Sequence, residues 1–184
     1  MNRSKTQLLA MAAMATALMA VGSFIKFPVP GLTVQFTTQV FFLLVIGLLL
    51  PPAYSSAAVG AYVIIGLLGI PVFSRGGGLQ TIATAEFGYL LGFVFSAFVT
   101  GTAYRKLKRR RFSLLISAVL GILAVYVLAI PYISLLYTLY LSKPMAFGTL
   151  VSTFFLAFLP MDLLKAIAAA AISAQVRKAL RMDH

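Results

Sequence analysis

The chain has 184 residues, 61% of them hydrophobic, with a mean hydropathy of +1.02 and a formal net charge of +12. This is too apolar for a soluble domain of its size, so the composition sets an integral membrane protein. With no Cys and a single His at the last position, disulfides, thiolate metal sites and a Cys nucleophile are excluded, and Ser-His or His-metal chemistry is poorly supplied.

An uncharged segment from Gln7 to Ile25 is long enough to cross the hydrocarbon and reads as the first helix, retained rather than cleaved although Arg3 and Lys5 precede it. Ala13 and Ala17 place small residues four apart on it. Such a face suits either a partner protein or another helix of the same chain. The Pro/Gly segment from Lys26 to Gln35 cannot continue a helix and reads as an outer loop. Thr37-Thr38-Gln39 opens a second, short helix to Leu50, and Pro51-Pro52 ends it before a third from Tyr54 to Ile70. Gln39 either faces a ligand or satisfies neighbouring backbone.

Pro71 to Gln80 holds three consecutive glycines, suited to a mobile lid or a plain connector. No Lys-Ser/Thr follows them, so they are not a phosphate-binding P-loop. Arg75 and Glu86 flank this segment, where they can pair with each other or Arg75 can meet an anionic ligand. A fourth helix carries Gly88-Tyr89-Leu90-Leu91-Gly92-Phe93 and ends near Tyr104. Six basic residues among the seven from Arg105 to Arg111 are the strongest topology marker; apolar spans on both sides argue against a nucleic-acid partner. The fifth helix runs from Phe112 toward Tyr140, with a bend expected near Pro131.

The apolar stretch between Pro144 and Leu159 can be counted as a span or as a short interfacial segment. Six spans place eleven basic residues on the cytoplasmic side with both termini, against Lys26, Arg75 and Lys143 outside; seven would put Arg177, Lys178 and Arg181 outside. The sixth helix then starts at Pro160, apt for a first helical position, and runs to about Lys178. Asp162 falls in its first turn and Lys165 three residues on, so both side chains share one face. They are an intramembrane ionisable pair, either a ligand site or an internal salt bridge. The two outer loops and this turn lie on one membrane side and converge on one outward-facing cavity.

Four stretches carry a resemblance that covers nearly the whole chain: Ala13 to Gly22; Phe36-Thr37-Thr38-Gln39-Val40-Phe41-Phe42; Gly69 to Gly78 with Phe87 to Phe93; and Leu159-Pro160-Met161-Asp162-Leu163-Leu164-Lys165-Ala166. In these the chain resembles BioY, the biotin-binding S component of energy-coupling factor (ECF) vitamin transporters. The resemblance implies an all-α, six-helix S-component fold in one transmembrane substrate-binding domain, set in a bacterial cell membrane. It implies high-affinity capture of biotin from outside, with a transmembrane coupling protein and two cytoplasmic ATPases as partners and no cofactor of its own. Ala13 and Ala17 match the family's Ala-x-x-x-Ala contact with the coupling protein.

The chain departs from the family pattern at Gln35 and Thr38, at Ala85-Glu86 and at Ser74-Arg75, which sets Arg75 and Glu86 beside the expected pocket. The biotin site expected here has Asp162 accepting from a ureido N–H, with Lys165 balancing Asp162 or bonding a ligand oxygen. Gln39 and Tyr89 supply further polar contacts, Arg75 meets the carboxylate at the mouth, Glu86 lies alongside, and Phe73 covers the thiophane ring. The alternatives are an S component for another carboxylated vitamin or a biotin precursor, a lipid-acting membrane enzyme using Asp162, Lys165 and Glu86, and a membrane assembly subunit.

Overall fold

The computed structural model describes residues 4–27, 35–108 and 110–180. The centre of the Pro/Gly loop and Arg3, Arg109 and Arg181 of the charge argument lie outside them. Helix α1 spans Lys5–Phe24 and opens on a capping box, in which the Ser4 hydroxyl accepts from the Gln7 N–H and the Gln7 side chain from the Ser4 N–H. The ends of the expected outer loop form a two-stranded antiparallel ladder, β1 (Lys26–Phe27) with β2 (Phe36–Thr37). A small hairpin therefore interrupts the all-helical pattern. Helix α2 (Gln39–Leu49) starts against the end of α1, where the Thr38 N–H donates to the Ile25 carbonyl (3.1 Å) and its hydroxyl to the Gly22 carbonyl (3.1 Å).

Pro51 and Pro52 separate α2 from α3 (Pro52–Leu67), with Pro52 at the start of the new helix where its missing N–H costs no hydrogen bond. The glycine segment folds back on α3: Phe73 bridges Gly76, and its ring lies over Gly66, where a Cβ would stand 2.1 Å from the ring Cζ. Gly76 and Gly78 hold φ values of +115° and +105°, which side chains resist, so the run serves a tight return. A short 3₁₀ turn at Leu79–Ala83 leads to α4 (Ala85–Leu107). Helix α5 (Ser113–Leu135) packs along α4 with backbones in near contact; a Cβ on Gly92 would sit 2.5 Å from the Val125 carbonyl oxygen. Small residues permit this approach inside a bilayer.

Pro131 lies inside α5, and a π-helical turn at Leu136–Tyr140 ends the span. The ambiguous stretch after Pro144 is helical from Phe147 onward: α6 (Phe147–Val151) and a π turn (Ser152–Leu156) lead through Ala157–Phe158 into α7 (Leu159–Ala179). The sixth helix therefore does not start freely at Pro160. Asp162 lies in the first turn of α7 as expected, its N–H making the helix's first bond to the Phe158 carbonyl, and its side chain is held by direct pairing as well.

Among the described residues, four helical stretches are long and apolar enough to cross a membrane: Lys5–Phe24, Ala85–Leu107, Ser113–Tyr140 and Phe147–Ala179. Gln39–Leu49 and Pro52–Leu67 are shorter apolar helices, completing six. Leu9, Ile64, Phe98, Val127 and Leu164 are exposed on the outside of the bundle, the surface that lipid rather than water requires.

Candidate functional site

The N-terminal ends of α2, α4 and α7, with the glycine segment and β2, line a cavity of about 40 Å³. Its polar lining comprises Gln35, Thr37, Gln39, Ser74, Glu86, Asp162 and Lys165; Val40, Leu90, Phe93, Phe158 and the Tyr89 ring form the apolar part. The volume holds a few water molecules. A small-molecule pocket is typically about 300–1,000 Å³, so a vitamin-sized ligand enters only as the walls part.

Asp162 is buried, 5% exposed, and each carboxylate oxygen is used: Oδ1 accepts from Lys165 Nζ (2.8 Å) and Oδ2 from the Tyr126 hydroxyl (2.6 Å). A carboxylate so far from water needs both a countercharge and hydrogen bonds. The i, i+3 spacing on α7 supplies the first and α5 the second. The salt-bridge reading of the pair is thus realised in a geometry that also faces the cavity.

Gln39 is held at the first turn of α2 by donating its Nε2 to the Tyr62 hydroxyl (2.7 Å) and accepting at Oε1 from Thr37 Oγ1 (3.2 Å). The Tyr62 hydroxyl in turn donates to the Val72 carbonyl (3.0 Å), joining α3 and the glycine segment to the site. Tyr89 donates its hydroxyl to the Phe154 carbonyl (2.6 Å), so it offers the cavity its ring. Glu86 accepts from Ser74 Oγ (2.7 Å) rather than from Arg75. Arg75 is exposed at the loop tip beside Ser74 and is not part of the lining.

Phe73 also leaves the lining. It is 2% exposed, edge-on to the Tyr62 ring at 5.4 Å, because Gly66 opens a slot for it on α3. The apolar cover falls instead to Phe93, Leu90 and Phe158, and Phe36 of β2 stacks on Phe158 with ring centroids 4.4 Å apart. The hairpin is tied to the glycine segment as well, Lys26 Nζ donating to the Ser74 carbonyl.

Sequence reasoning did not find Tyr126 or Tyr62. Their one signal was a phenol in the middle of an apolar span, where a hydroxyl must find a partner. Ala13 and Ala17 are exposed on α1, while Ala15 and Met19 face the core. Ala13 borders a shallow groove of about 360 Å³ between α1 and α3, with Ala17 beyond its lining. Thr16 Oγ1 donates to the Ala58 carbonyl (2.9 Å) at the groove floor.

A helical bundle with apolar outer faces and a small, charged cavity at the ends of three helices defines a membrane-embedded ligand-binding protein. Residues 1–182 match the BioY family, and the chain belongs to it. The probable biotin transporter BioY of Lysinibacillus sphaericus is 32% identical over 98% of this chain and 92% of that protein. The biotin transporter BioY of Thermotoga maritima is 35% identical over 89% of this chain and 91% of its own length. A crystal structure of the S component for biotin from an ECF-type ABC transporter superposes with a TM-score of 0.81 at 27% identity, covering 96% of this chain and 95% of that one.

Proposed function

We propose that this protein is the biotin-capturing S component of an ECF-type importer. The observation that carries the reading is the Asp162–Lys165 pair facing a small polar cavity in a chain of the BioY family. Biotin offers two ureido N–H donors and a carbonyl acceptor; Asp162 takes one N–H, and Lys165 bonds the carbonyl or keeps its charge beside Asp162. Gln39 supplies an amide to the same polar end, while Phe93, Leu90, Phe158 and the Tyr89 ring pack the thiophane ring. The valerate carboxylate then lies toward the mouth near Ser74, where Arg75 can reach it from the loop tip and Glu86 stays with Ser74.

The cavity opens to the outside of a bacterial cell membrane, and both termini are cytoplasmic, in accord with the distribution of basic residues. The protein is a transport subunit rather than an enzyme. A coupling protein docks on the α1 face bearing Ala13 and Ala17, and two partner ATPases hydrolyse ATP. Membranes of cells producing the chain should retain radiolabelled biotin in a form displaced by excess unlabelled biotin. Displacement by another carboxylated vitamin or a biotin precursor, and not by biotin, would transfer the assignment to that ligand.

A further inference from the structure

The cavity that holds the Asp162–Lys165 pair carries a second carboxylate that the pair does not explain. Glu86 lies in the first turn of α4, and Tyr89 and Leu90, three and four residues on, line the same cavity, so its side chain shares their face. It is half-buried, nearer the mouth than Asp162, which is 5% exposed.

Glu86 pairs with no cation among the described residues. Its Oε1 accepts from Ser74 Oγ (2.7 Å), and Oε2 has no hydrogen-bond partner among them. Lys165 Nζ is taken by Asp162 at 2.8 Å. Lys26 Nζ donates to the Ser74 carbonyl rather than to Glu86, and Arg75 is exposed at the loop tip outside the lining. The anion is steadied instead by the start of α4, where the helix dipole and the N–H groups without intrahelical partners favour negative charge. The lining therefore holds two carboxylates and one ammonium. Its inner end is electrically balanced, and its outer end is negative.

With the ureido group on Asp162, the valerate chain of biotin ends on the side of Glu86 and Ser74. A free carboxylate there faces a like charge in a partly desolvated place, unless it turns to Arg75 at the tip. An amide in the same place removes the repulsion: its N–H donates to Glu86 Oε2, a charge-assisted hydrogen bond, and its carbonyl accepts from Ser74 Oγ or Lys26. A substituent that carries an ammonium adds an opposite charge. We infer that Glu86 sets the tail specificity of this cavity and opens it to biotin joined through an amide to an amine, with cationic amides preferred to the free acid. The inference rests on the biotin reading of the site. Asp162 and Lys165 serve the ureido end common to all these ligands, and Glu86 reads only the tail.

The test is competition against radiolabelled biotin on the detergent-purified full chain and on its Glu86→Gln variant, which keeps the size of the side chain and an oxygen for Ser74. The competitors are unlabelled biotin, biotin methyl ester and the mono-amide of biotin with ethylenediamine, whose tails are anionic, neutral and cationic. In the parent the cationic amide should bind more tightly than biotin. In E86Q biotin should tighten about fivefold and the cationic amide should weaken about fivefold, the size expected of one charge pair at a water-accessible mouth, with the methyl ester unmoved. A parent that binds the cationic amide less tightly than biotin, or an E86Q variant that shifts all three ligands alike or none, would overturn the inference and leave biotin as the ligand. Labelled biotin held by neither protein would instead overturn the biotin reading, and the inference with it.

Discussion

Removing the Lys165 ammonium while leaving Asp162 in place isolates the charge balance on which the site rests. The two side chains are 14% and 7% exposed and 2.8 Å apart, so almost none of their interaction is screened by water. In Lys165→Met the carboxylate keeps only the Tyr126 hydroxyl. Stranding one partner of a buried pair costs about 3–5 kcal/mol, which lowers Tm by roughly 6–20 °C for a chain of this length. Asp162→Asn should cost less, because a lysine stem can carry its ammonium toward the mouth. The D162N/K165M double variant removes both charges and should recover most of the stability lost in K165M. Thermal unfolding in detergent, followed by circular dichroism for the parent and all three variants, reads this directly. A K165M protein melting within about 2 °C of the parent, or a double variant no more stable than K165M, would refute the reasoning that Lys165 balances a buried anion.

Tyr126→Phe deletes a hydrogen bond to a charged group and should cost about 1.5–3 kcal/mol in the same assay. Gly66→Ala drives a methyl into the Phe73 ring, and overpacking of about 1–3 kcal/mol should appear as a lower Tm with a loosened glycine segment, read by increased proteolysis there. Phe36→Ala removes the stack on Phe158 that roofs the cavity, so ligand should enter and leave faster by stopped-flow tyrosine fluorescence; unchanged rates would show that the hairpin does not gate the site.

Much of the fold was legible because its signals are one-dimensional. Apolar length, paired prolines and the charge count gave six helices, with ends within a few residues of those observed for α2 and α5. The charge count excluded the stretch before Pro160 as a separate span, but Phe147 to Leu156 is apolar in any role and only the packed structure shows it continuing toward α7. In the site, Asp162, Lys165 and Gln39 stood out as polar groups in apolar runs, and Glu86 as an acid beside the glycine segment. Tyr126 and Tyr62 did not, because their partners lie 36 and 23 residues away, and sequence spacing carries no sign of such pairing. Phe73 was placed by proximity to the glycines, whereas the slot at Gly66 on a different helix decides where its ring goes. Arg75 was read from charge alone, and the turn set by Gly76 and Gly78 leaves it at the exposed tip.

The central claim is most directly tested by isothermal calorimetry of biotin against the detergent-purified chain beside its Asp162→Asn variant. One-to-one binding by the parent, lost in a variant that still unfolds cooperatively, is the predicted result. No heat of binding from a well-folded parent, or equal binding by both proteins, would contradict a biotin site built on Asp162.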